Sequence, residues 1–178
     1  LGAISETKGA LLDDLPANGL AVVNGDDVHV TDWQQRAAPT RCLTFGLNSD
    51  ADYCAADLKL QGFSGSTFML QTPEQAIEVM VNVPGRQGVY NALAAAAVAD
   101  ALGVSASTIR EGLGAVNPAP GRGCVEVLSN DVALVDDSYN ANPIAVRAAI
   151  DVLASAPGCR RLVLGAMLEL GFDEEQLH

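Results

Sequence analysis

Short apolar runs alternate with polar, glycine-containing segments along this chain, and the pattern predicts an α/β fold. Leu20–Asn24 and Arg41–Gly46 are compact apolar runs bounded by turn-forming residues, which is typical of buried strands. Ile4–Leu15 has the spacing of a short amphipathic helix. A second short helix follows the first strand, and either Thr31 or Asp32 can cap it.

The middle of the chain changes to a hairpin pattern. Strand-like segments are separated there by turn residues at 62–65 and 72–74. The predicted strands are Ala55–Leu60, Ser66–Gln71 and Ala76–Val81. An antiparallel stretch is therefore expected inside a chain that otherwise alternates strand and helix.

An alanine-rich run at Asn91–Leu102 predicts a helix, because alanine has the highest helix propensity. Gly103 is a natural stop for this helix, and Ser105 can cap the next one at Ala106–Leu113. Prolines and glycine then make 118–122 a predicted linker, so we expect one domain over 1–117 and another over 123–178.

The segment after the linker predicts the start of a parallel doubly wound sheet. Its predicted elements, in order, are strands Cys124–Leu128 and Val132–Val135, helix Pro143–Ala154 and strand Arg161–Gly165. The polar stretch DDSYNANP, residues 136–143, lies between a strand and a helix. Ligands bind at this edge of open α/β sheets.

Two interpretations of DDSYNANP remain open from the residues alone. Asn142 as an N-cap followed by Pro143 explains the end of the stretch as an ordinary helix start. That explanation does not require Asp136 and Asp137, or the three polar residues that follow them. A ligand site would account for those side chains.

Composition narrows the classes of function. The chain is 49% hydrophobic and 18% charged, as expected of a globular protein with a core, and its net charge is -12. Negative charge and 4% aromatic content disfavour binding to nucleic acid or to an anionic membrane. The cysteines have no metal-ligand or redox spacing, so we expect reduced thiols in a cytoplasmic protein; they are Cys42, Cys54, Cys124 and Cys159.

Two further features are weak on their own. The stretch LGAMLELG, residues 164–171, could approach a phosphate through its glycines, but the chain contains no G-x-x-x-x-G-K-[ST] motif. Lys8 lies on a predicted helix, where a lysine is ordinarily a solvated surface residue.

Taken together and in this order, the motifs resemble the ATP-dependent Mur ligases of peptidoglycan synthesis. The resembling segments, which together span nearly the whole chain, are ETKGALLDDLPANGLAVVNGDD, GRQGVYNALAAAAVADALGVS, GLGAVNPAPGR, VALVDDSYNANP and LGAMLELG with His178 after it. DDSYNANP and LGAMLELG are most similar to members that add D-alanyl-D-alanine to UDP-N-acetylmuramoyl-tripeptide. The resemblance implies the end of an ATP-binding central α/β domain over 1–117 and the start of a Rossmann-like domain over 123–178.

The resemblance also implies a mechanism and a set of site residues. ATP would phosphorylate the tripeptide carboxylate, the dipeptide amine would attack the acyl phosphate, and Mg²⁺ would stabilise the phosphate charge. Lys8 matches a lysine that the family carries as a carbamate, an anionic metal ligand. Asn91 matches the residue expected to bind adenine, and Arg122 and Asp137 match groups expected near ribose and phosphates. The residues expected to receive the dipeptide are Ser138, Tyr139, Asn140 and Asn142.

This chain departs from the family pattern at two places. Gln87-Gly88 stands where the family usually has His-Asn, and Ala166 stands where it usually has Asp. The resemblance also implies that the UDP-sugar domain and the phosphate-binding loop lie outside these residues. We therefore expect the isolated chain to be inactive and the parent protein to be a monomeric ligase.

Two alternatives stay open. One is another amide ligase of the superfamily, such as a different Mur ligase or a folylpolyglutamate synthetase, which an amino-acceptor screen would distinguish. The other is a non-catalytic nucleotide-binding or interaction module derived from the ligase fold, which predicts binding without turnover.

Overall fold

The computed structural model describes residues 2–48, 50–168, 170–171 and 174–178. Its helices are Gly2–Asp13 (α1), Val30–Ala37 (α2), Gly85–Ala101 (α3), Ala106–Ala115 (α4), Pro143–Ser155 (α5) and Glu174–Leu177 (α6). Its strands are Leu20–Asn24 (β1), Arg41–Gly46 (β2), Tyr53–Leu60 (β3), Ser66–Gln71 (β4), Ala76–Val81 (β5), Cys124–Val127 (β6) and Ala133–Asp136 (β7). The predicted α/β class is confirmed.

Strands β1 to β5 form one mixed sheet whose spatial order follows the chain order. β1 pairs in parallel with β2, and β2 pairs in parallel with β3. The predicted hairpin stretch is confirmed, with the β3–β4 connection closed by a 2.9 Å bond from the Gln61 N–H to the Gly65 carbonyl. The carboxyl ends of β1 and β2 therefore lie side by side at one edge, which is where α/β sheets place ligand sites.

The chain divides into two compact units, and each unit consists of three separate segments of the sequence. The first comprises residues 1–58, 68–79 and 90–113, apart from the two residues outside the described ranges. The second comprises 59–67, 80–89 and the described part of 114–178. The predicted boundaries at 117 and 123 stay a prediction.

The core of the first unit is built around a buried tyrosine. Tyr53, 2% exposed, packs with Leu43 and Ala97. Its hydroxyl donates a 2.7 Å hydrogen bond to Asp100 at the far end of α3. Burial, and then the bond to Asp100, raise the pKa of Tyr53. The alanines of α3 let the helix lie close to the strands, because they add little bulk at the contact.

α3 ends just before Gly103, the predicted glycine stop. Gly103 adopts a φ of +81°, its N–H donates to Asp100, and the Val104 N–H donates to Ala99. These two bonds form a Schellman motif, which satisfies carbonyls that the helix end leaves open. Ser105 then caps α4 by accepting from the Thr108 N–H at 3.3 Å, as predicted.

The start of α2 differs from the prediction. α2 begins at Val30, so Thr31 and Asp32 lie inside the helix and the prediction that either caps it is wrong. The earlier start follows from Asp27, whose carboxylate accepts from the His29 N–H at 2.9 Å and whose carbonyl accepts from the Val30 N–H. α3 starts at Gly85 and contains nearly all of the predicted alanine-rich run.

The predicted strand Arg161–Gly165 is wrong. β6 and β7 form an antiparallel two-stranded sheet, and residues 161–165 have no strand structure. Val163 is 96% exposed, so this apolar segment buries little surface. A strand exists only where a neighbouring strand supplies hydrogen bonds, and 161–165 forms no ladder with another described strand.

Gly65 should be far less tolerant of alanine than Gly112. Gly65 has a φ of +91°, and an added Cβ would lie 1.9 Å from the Val81 carbonyl oxygen, whereas a Cβ on Gly112 would meet nothing within 4 Å. Urea unfolding should show Gly65→Ala losing more than about 2 kcal/mol of stability, because backbone strain adds to the clash. Gly112→Ala, inside an exposed helix, should gain about 0.5–1 kcal/mol. Equal stabilities would contradict the described hairpin.

Candidate functional site

The loop after β7 is organised by the carboxylate of Asp136. One oxygen of this carboxylate accepts from the Ser138 N–H at 3.1 Å and from the Ser138 hydroxyl at 2.6 Å. These bonds, the hydroxyl first, hold the pKa of Asp136 below its usual range. Its main-chain carbonyl accepts from the Gly123 N–H at 2.9 Å. The loop therefore begins in a defined turn, tied to the residue that follows the predicted linker.

The predicted linker contacts the same loop through Tyr139. The Tyr139 N–H donates to the Gly121 carbonyl at 2.9 Å, and the Arg122 guanidinium lies 3.9 Å from the centre of the Tyr139 ring. Gly121 has a φ of +72°, and a Cβ there would approach the Tyr139 Cβ to 3.2 Å. The structure thus brings together two predicted site residues, Arg122 and Tyr139, in a cation–π contact.

Asn142 performs the predicted capping role. Its side-chain oxygen accepts from the Ala145 N–H at 2.9 Å, and Pro143 occupies the first helical position. Asn140 uses its side-chain oxygen to accept from the Ala141 N–H at 2.9 Å. Both side chains still present an NH₂ group, so this edge can donate to oxygen atoms of a ligand.

Asp137 differs from its neighbour Asp136. It is exposed, and among the described residues its side chain forms no hydrogen bond or ion pair. The Asp136 carboxylate is hydrogen-bonded within the loop, while Asp137 presents its carboxylate outward. The pair of carboxylates in the sequence therefore divides into one structural and one ligand-accessible group.

Lys8 is an exposed residue of α1, a helix with little buried surface. Arg36 of α2 anchors this helix: Nε donates to the Asp13 carboxylate at 2.8 Å and a second nitrogen lies 3.2 Å from the Glu6 carboxylate. Gly9, next to Lys8, is buried against the guanidinium, and a Cβ there would lie 2.5 Å from it. Lys8 forms no hydrogen bond or ion pair with the residues that the structure describes.

Asn91 is an exposed residue of α3. Its neighbour Tyr90 donates a 2.7 Å hydrogen bond to the carboxylate of Asp26. The same carboxylate accepts from the N–H groups of Leu47 at 2.6 Å and Asn48 at 3.2 Å. Sequence reasoning missed Asp26 and Tyr90, although GDD directly after an apolar strand was a signal for the first.

Gly88 lies in close contact with the backbone that precedes α3. A Cβ at Gly88 would lie 2.3 Å from the Val83 carbonyl oxygen, which no real Cβ tolerates. The helix start therefore excludes an asparagine at this position without a backbone shift. Gln87 is exposed, so its side chain does not pack in the core.

The stretch LGAMLELG is held at Met167, which is 2% exposed. The Met167 N–H donates to Nε2 of His178 at 2.7 Å, and Nδ1 of His178 lies 2.9 Å from the Glu174 carbonyl. This pattern requires the proton on Nδ1, because Nε2 acts as acceptor. Glu169, part of the motif, lies outside the described residues.

Among residues 2–48, 50–168, 170–171 and 174–178, no group of three or more His, Cys, Asp or Glu side chains could hold a metal ion by itself. A carbamate on Lys8 would add one anionic oxygen, and Mg²⁺ commonly combines one or two carboxylates with substrate phosphates and water. No helix in the described chain has the length and apolar content needed to cross a bilayer.

The family comparison matches two segments of the chain. Residues 1–99 match the Mur ligase middle domain, and residues 123–178 match the Mur ligase, glutamate ligase domain. The first match alone covers more than half of the chain.

Individual proteins are also similar to this chain in sequence or in structure. The UDP-N-acetylmuramoyl-tripeptide–D-alanyl-D-alanine ligases of Escherichia coli and Haemophilus influenzae are 37% and 33% identical over 100% of this chain. MurF from Acinetobacter baumannii has a TM-score of 0.92 at 31% identity over 99% of the chain. A MurF ligase from Thermotoga maritima, solved with ADP, has a TM-score of 0.83 at 26% identity and the same coverage. The chain spans 38–40% of the length of these proteins.

Ser138→Ala should raise the pKa of the Asp136 carboxyl toward its ordinary value, because the largest cause of the depression is the Ser138 hydroxyl. A depressed carboxyl pKa stabilises the folded loop above the unfolded pKa and loses that effect as pH falls through the folded pKa. NMR titration of the side-chain carbon measures the change. Ser129→Ala, a serine in the turn before β7, should leave the pKa of Asp136 unaltered; a shift of equal size in both variants would contradict this assignment.

Proposed function

Because this chain belongs to the Mur ligase family, we propose that the protein carrying it joins D-alanyl-D-alanine to UDP-N-acetylmuramoyl-tripeptide at the expense of ATP. The observation that carries the proposal is the DDSYNANP loop, whose polar groups are held between the end of β7 and the cap of α5. The similarity to ligases named for this substrate pair over the whole chain supports it.

The proposed reaction has two steps. First, the γ-phosphoryl group of ATP passes to a carboxylate oxygen of the tripeptide, giving an acyl phosphate and ADP. The amine of the dipeptide then attacks the acyl carbon, the C–O bond to phosphate breaks, and a proton leaves the nitrogen. Inorganic phosphate therefore carries away one of the original carboxylate oxygens.

The proposed nucleotide site uses Asn91 for adenine and Arg122 with Asp137 for the ribose and phosphates. Arg122 is a fixed cation that can pair with phosphate oxygens, and Asp137 can accept from ribose hydroxyls. When bound, Mg²⁺ would neutralise charge on the transferring phosphoryl group. Lys8, as a carbamate, would supply one of its oxygen ligands.

The proposed dipeptide site uses the donors that the loop leaves available. Asn140 and Asn142 keep their NH₂ groups because their oxygens accept from the backbone. Those donors, with the Tyr139 hydroxyl, suit the carboxylate and carbonyl oxygens of D-alanyl-D-alanine. The Ser138 hydroxyl is committed to Asp136, so it can only accept from the dipeptide.

The remaining assignments are part of the same proposal. Residues 1–117 would belong to the ATP-binding central domain and 123–178 to the C-terminal ligase domain, joined at 118–122. We also propose a cytoplasmic monomer that binds neither nucleic acid nor membrane, supported by the net charge of -12.

An acceptor screen tests the proposed function. The complete protein is incubated with ATP, Mg²⁺, UDP-N-acetylmuramoyl-tripeptide and single amines, and products are identified by mass. We expect product with D-alanyl-D-alanine and none with D-alanine, L-alanine or glutamate. Product with glutamate alone would indicate a different amide ligase, and ATP binding without any product would indicate the non-catalytic module.

Lys8→Ala should lower kcat by about 100-fold or more, because Mg²⁺, which would neutralise charge on the transferring phosphoryl group, would lose an oxygen ligand. Small carboxylates such as acetate should restore part of the activity by occupying the vacated position. The matched control is Lys59→Ala, which removes an exposed lysine on β3. Full activity of Lys8→Ala, or an equal loss in the control, would contradict a carbamate at Lys8.

A further inference from the structure

We propose that Tyr90 and Asp26 are positioning residues that set the base preference of the nucleotide site by fixing the direction of Asn91. This inference rests on the proposed role of Asn91 in binding adenine. Neither Tyr90 nor Asp26 would touch the nucleotide itself. They would fix the turn of α3 that carries Asn91, the residue proposed to contact the base.

Asp26 connects three elements of the first unit at the carboxyl edge of the sheet. It lies two residues after the end of β1, and its own N–H donates to the Asn24 side chain at 3.0 Å. Its carboxylate accepts from Leu47 and Asn48 after β2 and from the hydroxyl of Tyr90 on α3. Gly46 permits this approach, since a Cβ there would lie 2.8 Å from the carboxylate.

The hydroxyl of Tyr90 is therefore a charge-assisted tether between α3 and the ends of β1 and β2. Bonds of this kind are shorter and stronger than neutral hydrogen bonds. Asn91 is the next residue along the helix, so its side chain is displaced by about 100° around the axis from that of Tyr90. With Tyr90 tied to Asp26, Asn91 keeps one orientation at this edge.

Base discrimination should depend strongly on that orientation in this chain. Gly88 lies one turn before Asn91 and has no side chain with which to contact a base. An amide that a bound base covers rejects the wrong base because its donor and acceptor are then mismatched, and this works only when the position of the amide is fixed. A mobile Asn91 would still bind nucleotides but would distinguish adenine from guanine less well.

A second tyrosine, Tyr53 of β3, bonds to the other end of the same helix and provides the matched control. Tyr53 donates to Asp100 at 2.7 Å, the same distance and chemistry as the bond from Tyr90 to Asp26. Asp100 lies near the end of α3, more than two turns from Asn91. Tyr53→Phe thus removes an equivalent tether without altering the turn that carries Asn91.

The experiment measures ATP and GTP affinities of the complete protein by titration calorimetry, for the natural sequence, Tyr90→Phe and Tyr53→Phe. Loss of one charge-assisted bond is expected to weaken ATP binding by about fivefold to tenfold in Tyr90→Phe, with GTP binding changed less. The ATP-over-GTP preference should fall by a similar factor. Tyr53→Phe should lower the melting temperature but keep that preference.

A double-variant comparison tests whether the effect passes through Asp26. Asp26→Asn keeps the size of the side chain and removes its charge, and it should lower the preference in the same direction. Adding Tyr90→Phe to Asp26→Asn should then have little further effect, because both changes break one contact. Strictly additive losses would overturn the proposed route.

The outcomes separate this inference from the proposed ligase reaction. An unchanged ATP-over-GTP preference in Tyr90→Phe, an equal fall in Tyr53→Phe, or no ATP binding by the natural sequence would overturn the inference. Selective ATP binding that Tyr90→Phe weakens, in a protein that makes no amide product, would support the inference and reject the ligase function.

Discussion

The carboxylate of Asp136 accepts two hydrogen bonds from Ser138, and the conformation of the DDSYNANP loop depends on that contact. A loop at the end of a strand must satisfy its own N–H groups before it can present others to a ligand. Asp26 does the same after β1, where it accepts from two backbone N–H groups and a tyrosine. At both edges an acidic side chain holds the backbone while neighbouring residues face outward.

In two pairs of adjacent polar residues, one residue stabilises the backbone and the other is exposed. Asp136 is structural and Asp137 presents its carboxylate outward, while Tyr90 holds the helix and Asn91 is exposed. Asn142 combines both roles, since its oxygen caps α5 and its NH₂ group remains to donate. Substitution of the inner residue should therefore affect function through orientation, whereas substitution of the outer one removes a contact.

Features that depend on neighbouring residues in the sequence could be predicted. The hairpins β3 to β5, the glycine stop at Gly103 and the Asn142 cap are set by turn and capping chemistry over a few residues. The strand predicted at Arg161–Gly165 failed because a strand requires a pairing partner that periodicity cannot supply. The Tyr90–Asp26 contact joins residues 64 positions apart, so no local pattern could reveal it. Resemblance, rather than spacing, identified Lys8, Asn91, Arg122 and Asp137, and their roles stay predictions.

We propose that the tripeptide carboxylate is activated as an acyl phosphate before the dipeptide attacks. The most direct measurement supplies the complete protein with UDP-N-acetylmuramoyl-tripeptide whose reacting carboxylate carries ¹⁸O, together with ATP and D-alanyl-D-alanine. Mass spectrometry of the released phosphate should find ¹⁸O in it, because the bridging oxygen leaves with phosphorus. Amide product accompanied by unlabelled phosphate would contradict activation through an acyl phosphate.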